Sequence, residues 1–186
     1  MLIGITGCIG SGKSYILDKI HKIYGYEVYS ADDFVVDSYN DEKIKRKLDE
    51  VFNCVIDNKV DKSIIKSKLN DNNIILLNNI IHPYVKEKIT SLNNTDLVFV
   101  EVPLLFESKM DDLFDYIISI SVDDKIRHLR IKNRNRENYQ NMIKLEKYQY
   151  DNDKKASLAD FVIYSGKDDL NILNQIDNII SKIKRK

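Results

Sequence analysis

The stretch Leu2-Ile3-Gly4-Ile5-Thr6-Gly7-Cys8-Ile9-Gly10-Ser11-Gly12-Lys13-Ser14 decides the fold. Its first five residues form a short apolar run, which reads as a buried strand. From Gly7 to Ser14 the order is G-x-x-x-x-G-K-[ST]. Beyond it, Ile16, Leu17, Ile20 and Ile23 recur at helical spacing, so residues 13–24 read as an amphipathic helix. Strand, glycine loop and helix together are the context that makes this motif a phosphate-binding loop. Glycines let successive backbone amides turn inward as an anion nest, and the helix start adds its positive end. Lys13 brings a point charge for the β and γ phosphates, and Ser14 a hydroxyl ligand for magnesium. Cys8, inside the loop, reads as a small filler, because no base partner for a nucleophile is evident.

The chain is frugal with glycine elsewhere: of its six, only Gly25 and Gly166 lie outside the first twelve residues. Gly25 reads as the stop of the first helix. Further strands are predicted at 27–29, 97–100, 116–121 and 161–164. Helices are expected over 41–53, 61–90 with Pro83 in a first turn or at a kink, 123–134, 137–150 and 168–184. Five apolar strands alternating with helices predict an α/β layer fold on a parallel sheet. The strandless sections 41–94 and 127–155 read as helical insertions suited to covering a substrate. Asp32 and Asp33 are placed to cap the helix after the second strand.

The chain of 186 residues suits a single domain, and its 29 basic residues balance 29 acidic ones, which gives no pointer to nucleic acid or an anionic membrane. No apolar run approaches the roughly 20 residues of a membrane helix, and no signal peptide is evident. Two cysteines, Cys8 and Cys54, make no disulfide framework, so a reduced, cytoplasmic chain is expected.

The loop alone leaves several classes open. Asn58-Lys59-Val60-Asp61 matches a guanine-reading N-K-x-D. Neither Gly25 nor Gly166 has Asp three positions earlier, however, so the switch of a GTPase is missing. A small kinase needs a carboxylate at the acceptor hydroxyl, an acid that organises magnesium, and arginines over the transferred phosphate. Asp32 follows the second strand, and Glu101 ends the third, where it would reach magnesium through water. Of six arginines, Arg127, Arg130, Arg134 and Arg136 fall within ten residues. Arg130 and Arg134 are spaced to share one helix face, and guanidinium forks grip phosphate oxygens as Lys does not.

These residues resemble the dephospho-coenzyme A kinase family. The likeness runs from Gly4 to Ser14, then through Ala31-Asp32, His82-Pro83, Val102-Pro103-Leu104-Leu105-Phe106-Glu107, Arg130, Arg134-Asn135, Gln149 and Ala159-Asp160-Phe161-Val162-Ile163. It implies a three-layer P-loop kinase fold whose core comprises 1–32, 95–125 and 156–186. It further implies a helical CoA-binding subdomain at 33–94 and a lid at 126–155. The implied reaction is transfer from ATP, with Mg2+, to the ribose 3′-hydroxyl of dephospho-CoA, the last step of coenzyme A synthesis. Asp32 would be the general base, with Lys13 and Arg134 also catalytic. Cys8, Ile9, Gly10, Ser11, Gly12, Lys13, Ser14, Tyr15, Arg130 and Arg134 would hold ATP. Asp32, His82, Pro83, Pro103, Leu104, Leu105, Phe106 and Glu107 would hold the acceptor. Ser14 and, through water, Glu101 would serve the metal. The partners implied are small molecules, with the protein a monomer or weak homo-oligomer. The chain departs from the family pattern in having Ser30 for a frequent Asp, Tyr15 for a frequent Thr, and Tyr164-Ser165-Gly166 for the usual Asn and Gly near the adenine. Another small P-loop nucleoside or nucleotide kinase, or a non-kinase P-loop ATPase, stands as the alternative.

Overall fold

The structure is a computed structural model that describes residues 1–92, 96–134, 139–140, 143, 146–166 and 168–185. In chain order its elements are β1 (Leu2–Thr6), α1 (Lys13–Tyr24), β2 (Glu27–Ser30), α2 (Ala31–Ser38), α3 (Glu42–Phe52), β3 (Val55–Ile56), β4 (Lys59–Val60), α4 (Lys62–Lys68) and α5 (Asp71–Thr90). These are followed by β5 (Val98–Glu101), β6 (Tyr116–Ser121), α6 (Asp124–Arg134), α7 (Asn152–Leu158), β7 (Phe161–Tyr164) and α8 (Asp169–Lys184). Packing divides the chain into two compact units, Met1–Tyr29 with Asn93–Lys186, and Ser30–Leu92.

The first unit is built on a five-stranded parallel sheet in the order β2-β5-β1-β6-β7. Every residue of β1 is buried, as a strand covered on both faces must be. β1 pairs with β5 from Leu2 opposite Val98 to Ile5 opposite Glu101, and with β6 from Ile3 opposite Tyr116 to Thr6 opposite Ser119. Strand order changes direction at β1. In open α/β sheets the carboxyl ends of the strands at such a point are where ligands bind, so the loop leaving β1 occupies the preferred position. On one face of the sheet, Ile16 and Ile20 of α1 and Ile172, Ile176 and Ile183 of α8 close over Ile3, Ile5, Phe99 and Ile118. Gly25 ends α1 as expected, its N–H bonded to His21 O at 3.0 Å.

The second unit has its own core, in which Ile44, Leu48 and Phe52 of α3 pack with Cys54 and Ile65. Asp41 caps α3, its side chain accepting from the N–H groups of Lys43 and Ile44. Sequence periodicity leaves no strand in residues 41–94, but β3 and β4 form an antiparallel hairpin there. Its turn residues, Asp57 and Asn58, have φ of 49° and 60°, the left-handed pair that a tight hairpin turn requires. Strands of two residues are too short to show alternation. The same turn accounts for the N-K-x-D match: Asn58 makes the turn, and Asp61 caps α4 through the N–H groups of Ser63 and Ile64.

The expected continuous helix over 61–90 is interrupted, because Leu69 is extended between α4 and α5. Pro83 lies inside α5, not in a first turn. Neither Asp32 nor Asp33 caps α2: Ser30 holds that position and the two acids sit in the first turn. Of the helix expected over 137–150, residues 137, 138, 141, 142, 144 and 145 lie outside the described residues, and Glu146–Tyr148 is a 3-10 turn. α7 has no counterpart in the sequence reading, since five of its seven residues are polar and only Lys155 is buried. Among the described residues, no helix is long and apolar enough to cross a membrane.

Candidate active site

The loop between β1 and α1 closes because glycine stands where a side chain cannot. At Gly7, with φ of 151°, a Cβ would lie 2.5 Å from the Ile120 carbonyl oxygen and 2.7 Å from Ser11 Oγ. At Gly10, with φ of 81°, it would meet Ile131 Cγ1 at 2.8 Å and the Arg127 carbonyl at 3.0 Å. Both lie in the region that L side chains rarely enter. The carbonyl of Cys8 takes the Ser11 N–H at 3.0 Å, which tightens the turn. Gly12 is the N-cap of α1 and supplies no side-chain hydrogen bond. The opening amides of the helix are therefore not capped by their own N-cap side chain, as a built anion site requires.

Lys13 is buried, and its Nζ donates to the Gly7 carbonyl at 3.0 Å and to the Cys8 carbonyl at 3.4 Å. Glu101 Oε1 stands 3.8 Å from the same nitrogen. Glu101 is the last residue of β5 and pairs with Ile5 of β1, so the sheet register itself brings this acid to the loop. Ser14 is exposed at the start of α1 beside Lys13. Its hydroxyl and the Glu101 carboxylate are hard oxygen donors of the kind magnesium takes together with water and phosphate oxygens. Among the described residues no group of three or more His, Cys, Asp or Glu could hold a metal on its own.

A cavity of about 580 Å³ opens over the loop, with Gly12, Lys13, Ser14, Arg130, Arg134 and Ser165 among its lining residues. Three arginines of α6 take different parts around it. Arg127 is 6% exposed and committed to protein partners: Nε donates to Asp124 Oδ1 at 2.9 Å, Nη1 to Ile9 O at 3.3 Å, and Nη1 also pairs with Glu146. Arg130 ties the loop to the end of β7, donating to Ser11 O at 3.3 Å, Ser165 Oγ at 3.0 Å and Ser165 O at 2.7 Å. Arg134 is exposed and lines the cavity. Arg136 and Asn135 lie outside the described residues. Tyr15, also on the cavity wall, donates its hydroxyl to Asp169, which accepts from Lys19 Nζ at 3.0 Å as well.

Cys8 points away from chemistry. Its thiol is buried and donates to Tyr150 O at 3.4 Å, and burial pushes its pKa up against the lowering fields of Lys155, Arg127 and Lys13. A thiol held protonated is a poor nucleophile.

The segment after β5 divides. Pro103 O accepts from Thr6 Oγ1 at 3.3 Å, Leu105 is wholly buried against Gly4, Phe106 is 9% exposed, and Leu104 is 40% exposed. Glu107 accepts the Tyr150 N–H at 2.6 Å and pairs with the buried Lys155 at 2.9 Å. In the second unit, Asp32 is exposed in the first turn of α2, while His82 and Pro83 lie on α5. His82 is half-buried, and desolvation, with Lys86 adding to it, pushes its pKa below the usual imidazole value.

Ser165 is singled out in the sequence only within the 164–166 segment near the adenine, and Lys155 is not singled out. Ser165 is 2% exposed, and its hydroxyl bonds the Ser11 carbonyl. A lone serine in a loop carries no signal of that, and a lysine in a polar helix none of burial. Gln149, which the resemblance includes without a role, accepts the Ile9 N–H at 3.2 Å.

Comparison with known proteins identifies the family. The family model described as dephospho-CoA kinase matches residues 1–169. The dephospho-CoA kinase of Rickettsia bellii is 31% identical over 194 residues, covering 99% of this chain and 98% of that protein. Among solved structures, a Thermus thermophilus protein superposes with a TM-score of 0.81 at 24% identity, covering 98% of this chain and 97% of that one. The dephospho-CoA kinase of Campylobacter jejuni does so with a TM-score of 0.69 at 23% identity, covering 99% and 97%. Phosphate loop, sheet order and relatives lead to one conclusion: the chain belongs to the dephospho-CoA kinase family.

Proposed function

We propose that the protein transfers the γ-phosphoryl group of ATP to the ribose 3′-hydroxyl of dephospho-CoA, giving coenzyme A and ADP. The observation that carries this is the cavity over the β1–α1 loop, where an N-cap that supplies no side-chain bond, Lys13 and Arg134 converge. Such a constellation binds a triphosphate and stabilises charge on the group in flight. Family membership supports the acceptor.

In this reading the loop amides hold the nucleotide phosphates, and Lys13 leaves the Gly7 and Cys8 carbonyls to meet the β and γ oxygens. Asp32 takes the proton from the 3′-hydroxyl as that oxygen bonds to phosphorus and the bond to the β–γ bridging oxygen breaks. Arg134 neutralises the equatorial oxygens, and Arg130 helps to hold ATP. Ser14 and, through water, Glu101 would hold magnesium, which when bound would supply charge neutralisation on the phosphate oxygens. Residues 33–94 carry dephospho-CoA, with His82, Pro83 and the 103–107 segment on the acceptor side. Residues 126–155 close over the nucleotide and exclude water. Tyr15 sits on the nucleotide side. The working form is a monomer or weak homo-oligomer in the cytoplasm, in keeping with two free, buried cysteines.

The test is ADP release from ATP with dephospho-CoA, adenosine, nucleoside monophosphates or no acceptor. Release that depends on dephospho-CoA is expected. Equal release without acceptor would make the chain an ATPase, and preference for a nucleoside or nucleotide would change the acceptor. Asp32→Asn is expected to lower kcat by about 10²- to 10⁴-fold while ATP affinity holds. An unchanged kcat in that variant would move the base elsewhere.

A further inference from the structure

Lys155 is 0% exposed, in the middle of a short polar helix. An ammonium has three hydrogens and no acceptor, and three groups receive it here. Nζ donates to Pro103 O at 2.8 Å, to the Glu107 carboxylate at 2.9 Å from Oε1, and to Thr6 Oγ1 at 3.4 Å. Thr6 in turn donates to the same Pro103 carbonyl. The contacts continue outward: Glu107 accepts the Tyr150 N–H, Tyr150 O accepts the Cys8 thiol, and Gln149 accepts the Ile9 N–H. One buried cation thus joins the last residue of β1, the chain after β5 and residues 149–150. The first of these adjoins the phosphate loop, and the third bonds to it at Cys8 and Ile9.

Lys155 is not among the residues lining the cavity, so it reaches reacting groups only through others. A methionine of similar length could fill the space without the desolvation cost of a charge. Buried pairs are frequently no more stabilising than apolar substitutes. What an ammonium supplies and methionine does not is a fixed direction for three acceptors at once. We propose that Lys155 is a positioning residue for phosphoryl transfer: its ammonium sets the course of residues 103–107 and locks residues 149–150 onto the loop at Cys8 and Ile9. The proposal rests on the phosphoryl-transfer reading above and adds a residue to it.

The test compares Lys155→Met, Glu107→Gln and the double variant with the parent, measuring kcat with dephospho-CoA, the ATP dissociation constant and thermal melting. Misplacement of about an ångström at a reacting centre can cost about 10²-fold, so Lys155→Met is expected to lose at least about tenfold in kcat while ATP affinity stays within about threefold. Because Lys155 and Glu107 belong to one bonded network, the double variant should lose less than the product of the two single losses, a non-additive result. A folded Lys155→Met with parental kcat, or losses that multiply, overturns the proposal. If Lys155→Met fails to fold, the double variant leaves no charged carboxylate behind, and its kcat and ATP affinity are held to the same criteria. Absence of dephospho-CoA turnover in the parent would count against the function reading and not against Lys155. In that event hydrogen exchange decides: amides of residues 6–9 and 149–150 should exchange faster in the double variant with ATP present, and parental exchange would overturn the positioning role.

Discussion

Lys13→Ala is expected to remove nearly all phosphoryl transfer, by about 10² to 10³ in kcat or more, the scale on which a single preorganised charge donor in a reaction centre acts. The side chain is 8% exposed and held by two loop carbonyls at 3.0 and 3.4 Å, with Glu101 3.8 Å away. Such burial keeps the ammonium out of bulk water, where its field would be weakened, and on the wall of the cavity over the loop. Alanine also withdraws a donor from the Gly7 and Cys8 carbonyls, so some loss of ATP affinity should accompany the loss of rate. Single-turnover transfer at saturating ATP, with circular dichroism to confirm the fold, separates the two. Activity within a few-fold of the parent would contradict the phosphate-loop assignment.

Arg134→Ala carries the other large effect. Arg127 and Arg130 have their guanidinium groups engaged with the protein, whereas Arg134 is exposed on the wall of the same cavity. If it meets the transferring group, its loss should cost about 10³ to 10⁵ in kcat, as arginines acting on the transition state do. Arg134→Lys should recover little, because an ammonium cannot offer two parallel donors to phosphate oxygens. Arg130→Ala should behave differently. It cuts the ties to Ser11 O and Ser165, so a higher KM for ATP is expected with the kcat loss. A rise in KM alone for Arg134→Ala would restrict that residue to ground-state binding.

The loop was fully legible in sequence because its function is written in backbone terms: glycines at Gly7, Gly10 and Gly12, then Lys13 and Ser14, after an apolar strand. The parallel sheet was legible for a related reason, since strands buried on both faces read as continuous apolar runs. The β3–β4 hairpin was not, because two-residue strands have no period to detect, and its Asp57-Asn58 turn lacks the usual glycine. The end of α4 at Leu69 was hidden by an apolar pattern that continues across the break. Among site residues, the clustered arginines suggested one shared role, and the structure separates the three that it describes. Arg127 goes to Asp124 and Glu146, Arg130 goes to Ser11 and Ser165, and Arg134 remains at the cavity wall. Helical spacing tells which residues share a face but not which acids face them from other segments. Lys155 shows the same limit from the opposite side, since its burial depends on partners 48, 52 and 149 positions away.

The reaction is identified by its product. The purified protein, incubated with ATP, magnesium and dephospho-CoA, is followed by phosphorus NMR and mass spectrometry. One new phosphate ester at the ribose 3′ position is expected for each ADP formed. ADP accompanied only by inorganic phosphate, or a phosphate on any other position or acceptor, would contradict the proposed transfer.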